Sequence, residues 1–139
     1  MQNRQMNSEY HITTVCVDTY GSGQLAGRLY NPRFSQVVPV RGVMELILYL
    51  DHMLDEMDFP QEFMAKRTFL PRKAVELPSC PAGEPAGRVA TFSVQVLFRQ
   101  NASWQGRVVW REGNRCETFR SALELLLLMH NALDGAECE

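Results

Sequence analysis

The chain has 139 residues, a formal net charge of −2, 45% apolar residues and 22% charged residues. That length suits one domain or two very small ones, and it can bury a core without staples. The small net charge leaves no global field to draw in nucleic acid or an anionic membrane. Cys16, Cys80, Cys116 and Cys138 are scattered, with no C-x-x-C pair and no His at zinc-finger spacing. An adequate core makes a disulfide framework unnecessary. The polar start, Met1 to Asn7, lacks the apolar segment of a signal peptide. The apolar run Leu125 to Met129 is far too short to cross a bilayer. A cytoplasmic protein with reduced thiols and no membrane contact is expected.

In chain order, Val15 and Val17 mark a first strand. Residues 24–30 and 36–40 follow as a second and a third, with Gly27 inside the second. A glycine there signals a bulge or a close backbone approach. Val43, Leu46, Ile47, Leu50, Met53 and Leu54 then fall at i, i+3, i+4, i+7, i+10 and i+11, the buried stripe of one helix. Gly42 takes its N-cap, and Asp58-Phe59-Pro60 stops it. Residues 58–89 form a connector carrying Pro60, Pro71, Pro78, Pro81 and Pro85. Phe59, Phe63, Phe69, Leu70, Val75 and Leu77 make it too apolar for a solvated tether, so it is expected to wrap the core.

Beyond the connector the same order of elements returns. Phe92, Val94, Val96 and Phe98 alternate with Ser93, Gln95 and Leu97, the pattern of a half-buried strand. Residues 103–110 and 115–119 follow, with Glu112-Gly113-Asn114 as the turn between them. Ala122, Leu125, Leu126, Met129, Ala132 and Leu133 repeat the helical stripe. Ser121-Ala122-Leu123-Glu124 is a capping box, and Gly135 is the expected end.

Shifted by 79 positions, Thr13–Met57 lies on Phe92–Ala136 without a gap (92 − 13 = 79). Identities include Val15/Val94, Val17/Val96, Gly27/Gly106, Arg41/Arg120, Glu45/Glu124 and Leu54/Leu133. The expected fold is therefore α+β: one domain over residues 1–139, made of two β-β-β-α repeats at about 11–57 and 90–136. One three-stranded sheet with one helix leaves apolar surface exposed, and two such units cover each other. A mainly antiparallel sheet with two helices on one face and a pseudo-two-fold axis follows.

Candidate ligand contacts are Arg99, Gln100, Asn101, Trp104 and Gln105, polar groups beside aromatics between two strands. The competing reading is a polar hairpin loop with Trp104 in the core, where Leu25 is its counterpart. Arg41 and Arg120 each precede a helix, a position suited to a phosphate or carboxylate. A salt bridge to an acidic neighbour or a solvated surface position is the favoured explanation. Asp51, His52 and Asp55 share a helix, but the tight spacing of a metal helix is missing, so no metal or other cofactor is expected. Lys66, Arg67, Arg72 and Lys73 surround Phe69 and could touch phosphates, although nucleic-acid binding is not the favoured role. No nucleophile motif or Walker loop occurs, so enzymatic activity is not expected.

The second helix also carries Leu123, Leu127 and Leu128 outside its buried stripe. A helix apolar on all sides needs a second cover, either the connector or another chain. Self-association or a protein partner is the expectation that follows. The line Phe98-Arg-Gln-Asn-Ala-Ser-Trp-Gln-Gly, then Trp110, then Phe119-Arg-Ser-Ala-Leu-Glu-Leu, resembles a group of short bacterial proteins without known activity. In the first half only Gly27, Arg41 and Glu45-Leu46 match that line. The resemblance implies no cofactor and no catalytic residue. The expected function is a non-enzymatic interaction or regulatory module; the alternatives are a nucleic-acid-associated protein and a small-ligand site near residues 99–105.

Overall fold

The structure, a computed structural model, describes residues 11–62 and 65–137. The polar amino terminus, Phe63 and Cys138 lie outside them. The elements are β1 (Ile12–Gly21), β2 (Gln24–Tyr30), β3 (Val38–Arg41), α1 (Val43–Met57), β4 (Ala90–Phe98), β5 (Gln105–Trp110), β6 (Arg115–Phe119) and α2 (Ala122–Glu137). The strands make one sheet in the order β3-β2-β1-β4-β5-β6, and every neighbouring pair is antiparallel. The chain is thus α+β, a six-stranded antiparallel sheet with two helices.

Alternation places the core. Val15 and Val17 of β1 share a face with Leu29, Val40, Phe92, Val94 and Val108 of their neighbours. These residues are buried in one cluster with Leu46, Leu50, Met53 and Leu54 of α1 and Leu125, Met129 and Leu133 of α2. Both helical stripes expected from the spacing therefore meet the same sheet face, except for Val43, which lies in the first turn of α1 and is exposed. Burying a Leu, Val or Phe side chain contributes about 1.5–3 kcal/mol each, which makes this cluster the dominant stabilising contribution.

The ladders run in step. Val17 pairs with Gly27 and Val96 with Gly106, and the register slips directly after Val17 and directly after Val96. Gly27 pairs with Val40, and Gly106 with Phe119. In the central ladder Thr14 lies opposite Ser93, with Ile12 opposite Gln95 on one side and Cys16 opposite Thr91 on the other.

The helix ends follow local chemistry. Ser121 Oγ accepts the Glu124 N–H at 3.1 Å, as a capping box requires. The Glu124 carboxylate reaches one residue further than expected and accepts the Arg120 N–H at 2.9 Å. Glu45 does the same for the Arg41 N–H, also at 2.9 Å. Gly42 caps α1 at φ +98, a conformation that favours glycine, and Asp58 ends that helix at φ +51. The expected stop at Gly135 is not used: α2 continues to Glu137. Glycine ends a helix when it turns left-handed, and Gly135 stays helical.

The connector is tied down at both ends. The Glu62 backbone bridges Arg99 in parallel, and Cys80 bridges Val37 beside β3. Beyond Cys80 it crosses the sheet face opposite the helices. There the Arg28 guanidinium donates to Asp18 at 2.9 and 3.0 Å, to Glu84 O at 3.1 Å and to Ala86 O at 2.8 Å. This pairing holds the Asp18 carboxyl below its ordinary value. Val89 N–H donates to Val17 O at 2.9 Å as the chain enters β4.

Cys16 is fully buried on this covered face, and burial pushes its thiol up to about 11. Cys116 is exposed on β6. At pH 8 a thiol reagent should label Cys116 promptly and Cys16 only after denaturant is added, read by mass spectrometry of the labelled peptides. Equal labelling of both in the native protein would contradict the covering of this face.

Candidate functional site

The segment from Arg99 to Gln105 closes the β4–β5 hairpin. Asn101 and Ala102 both sit at φ +55, and Ser103 N–H donates to Gln100 O at 3.0 Å. The Gln105 side-chain amide clamps the Gln100 backbone from both sides, at 3.0 and 3.1 Å. Ser103 Oγ accepts the Ala122 N–H at 2.9 Å, satisfying one orphan donor at the start of α2. Trp104 is 2% exposed and belongs to the core. Gln100 and Asn101 are exposed. Most of the polar groups in this loop are thus engaged in shaping it and in seating α2.

Arg99 turns away from the loop. It is 2% exposed, and its guanidinium donates to Asp55 Oδ1 at 2.6 Å and to Pro60 O at 2.6 Å. Asp51, also buried, lies 3.7 Å away. Lys66 approaches Asp51 Oδ1 at 3.1 Å and Arg72 approaches its Oδ2 at 3.6 Å. Those approaches are electrostatic, because no donor meets Asp51 Oδ1 at hydrogen-bonding angles. Lys66 also pairs with Glu62. Three carboxylates and three cations thus join α1, the connector and the end of β4. Two of the basic connector residues singled out in the sequence, the half-buried Lys66 and the exposed Arg72, approach Asp51 of α1, whereas Arg67 and Lys73 are exposed and make no ion pair among the described residues.

Arg120 lies on the surface and holds Glu124 through its guanidinium at 2.8 and 3.2 Å. The hydrogen bonds from the Arg120 side chain and backbone keep the Glu124 carboxyl below the ordinary range. Arg41 is exposed, with its backbone N–H on Glu45. His52 faces Glu56 at 3.5 Å rather than its neighbours Asp51 and Asp55. Neither Arg41 nor Arg120 approaches the 99–105 loop through a hydrogen bond among the described residues.

The outer side of the helical layer is apolar in the first turns of each helix and polar beyond, at Asp55, Glu56, His130, Asn131 and Asp134. Leu123 is 65% and Leu127 56% exposed on α2, and Met44 is 84% and Leu48 46% exposed on α1. Each pair is spaced i, i+4, so each forms a stripe along one helix side. Met44 and Leu123 occupy corresponding places, as do Leu48 and Leu127 (123 − 44 = 127 − 48 = 79). Among the described residues the connector runs beside Leu48 at residues 72–76 and leaves both stripes exposed. Leu128 differs from its neighbours, being half-buried and packed on the core.

A half-open groove of about 200 Å³ lies between α2 and the edge strand β6. Phe92, Val108 and Ala132 form its buried floor, beside Trp110 and Leu128. Arg115 and Glu117 of β6 and Asn131 of α2 stand at its rim. Among the described residues, none of these three side chains has a hydrogen-bond or ion-pair partner, and the Trp110 indole N–H has no acceptor. Sequence reasoning missed this site. A signal existed in the comparison of the halves: where the second carries Glu117, Leu128 and Ala132, the first carries Val38, Tyr49 and Met53. Bulk in the first half is absent in the second, and a charge replaces a core valine.

No protein-family model, no curated protein and no solved structure matches this chain.

Proposed function

We propose that this chain is a non-enzymatic interaction module that self-associates through the outer side of its helical layer. The observation that carries it is the pair of exposed apolar stripes, Met44 and Leu48 on α1 and Leu123 and Leu127 on α2. Exposed apolar surface arranged contiguously marks interaction sites more often than scattered single residues do. Corresponding stripes on two helices suit an isologous contact, in which the same patch serves both partners.

The scaffold in this proposal is one domain, a duplicated β-β-β-α unit arranged about a pseudo-two-fold axis beside Thr14 and Ser93. The matched ladder registers, the matched register slips and the matched Glu45 and Glu124 contacts support that reading. Kinship with the short bacterial proteins that share the Phe98–Gly106 line, and a cytoplasmic setting, belong to the same proposal. No helix of the described residues is long and apolar enough to cross a membrane.

The test is mass in solution. Light scattering on the intact chain should give twice the chain mass, and Leu123→Glu with Leu127→Glu should give the single mass at unchanged helical circular dichroism. A wild type that stays monomeric at high micromolar concentration overturns the proposal.

A further inference from the structure

We propose that the groove between α2 and β6 binds a free α-amino acid with an aromatic or branched apolar side chain. Its carboxylate meets Arg115 and its ammonium meets Glu117. The site is separate from the helical stripes, and the inference does not depend on self-association.

Size comes first. An apolar cavity of about 150 Å³ is enough for benzene. The groove offers about 200 Å³, room for a ring or a branched side chain with little to spare. Its floor of Phe92, Val108 and Ala132 is buried and apolar, so it can take such a group away from water. Ligand sites commonly combine an apolar lining with a few polar groups that fix orientation.

Charge then selects the ligand. Arg115 and Glu117 alternate on one strand face, so their Cα atoms are roughly 7 Å apart. The two long side chains can converge on one small molecule that carries both signs. A simple carboxylic acid leaves Glu117 unanswered, and an amine leaves Arg115 unanswered. A zwitterion satisfies both, and Asn131 adds a donor and an acceptor at the rim.

The first half of the chain shows what a closed version looks like. Tyr49 and the fully buried Met53 stand where Leu128 and Ala132 stand in the second half. Inward-facing charges on an edge strand can also serve only to prevent edge-to-edge pairing. That role calls for no apolar floor behind the charges, and it makes the opposite prediction for binding.

Calorimetric titration of the intact protein with L-phenylalanine, L-leucine and L-isoleucine decides the matter. Saturable binding of at least one of them, one ligand per chain, is expected. 3-Phenylpropionate and phenethylamine, each lacking one charge, should bind about tenfold more weakly or worse. Arg115→Gln and Glu117→Gln, both at exposed positions, should each weaken amino-acid binding by about the same factor. Ala132→Met, which copies the first half, should abolish it while circular dichroism stays native. Absence of saturable binding with all three amino acids overturns the proposal. So does binding that survives Ala132→Met or is indifferent to both charge removals.

Discussion

Alanine in place of Gly106 is expected to destabilise the protein by about 3 kcal/mol or more. A Cβ added there would stand 2.0 Å from Gln95 O and 2.9 Å from the Val96 Cα. Both are backbone atoms of the paired strand, so no side chain can swing aside to make room. The cause is the register slip after Val96, which bends β4 across β5 at this point. Gly27 meets the same obstacle, with an added Cβ 1.8 Å from Cys16 O beside the slip after Val17. The double replacement is expected to cost about 6 kcal/mol or more, comparable to the whole stability of a marginal domain. Urea denaturation monitored by circular dichroism measures both. Gly135→Ala is the control: it sits in α2 with nothing within 4 Å of an added Cβ and should stabilise by up to about 1 kcal/mol. A Gly106→Ala midpoint equal to wild type would show that the close approach is not real.

Arg99→Met should cost about 3–5 kcal/mol, because it strands buried charge and removes a donor from a backbone carbonyl. Asp51 would keep only the electrostatic approaches of Lys66 and Arg72, and Pro60 O would lose its bond. Arg72→Met provides the contrast. Its side chain is half exposed and its ion pair is long, so an effect within about 1 kcal/mol is expected. Adding Asp51→Leu to Arg99→Met should restore part of the loss, since an apolar replacement of a buried pair is often tolerated. The coupling energy from that double-mutant cycle, measured by denaturation, gives the interaction directly. Stability unchanged in Arg99→Met would mean that the residue is not anchoring α1, the connector and β4. Its place as a ligand contact near residues 99–105 would then return.

A counterpart of this junction joins β1 to α2. Tyr20 corresponds to Arg99 and His130 to Asp51 at the 79-residue offset. Tyr20 Oη and His130 Nδ1 lie 2.5 Å apart, so a polar pair again joins the sheet to the opposite helix. One junction uses charge buried under the connector. The other, on an exposed histidine, uses a hydrogen bond between groups that water can reach. Burial of charge is tolerated only where partners surround it, and the connector supplies those partners on one side alone.

Local pattern settled a good deal without any tertiary information. Alternation in β4 and the helical stripes from Val43 and Ala122 located the elements, because period 2 and period 3.6 are written in every turn or pair of residues. The capping box at Ser121 and the break at Asp58-Phe59-Pro60 set helix ends for the same local reason. The glycines at 27 and 106 signalled the close backbone approach.

Three features were settled only by tertiary packing. Arg99 looked like a loop group exposed to ligand, yet Asp51 and Asp55, 48 and 44 residues earlier (99 − 51 and 99 − 55), draw it inward. Which side of α2 the connector leaves bare depended on its route past α1 and over the opposite sheet face, a path that proline content does not specify. The groove between α2 and β6 arises because Leu128 and Ala132, small for their places, face Arg115 and Glu117 on a strand that no periodicity could orient without its neighbours. Secondary structure is encoded in spacing along the chain, whereas the partners of a buried charge and the shape of a cavity depend on residues brought together from far apart. The amino acids thus dictated elements and core face, and packing alone assigned the candidate surfaces.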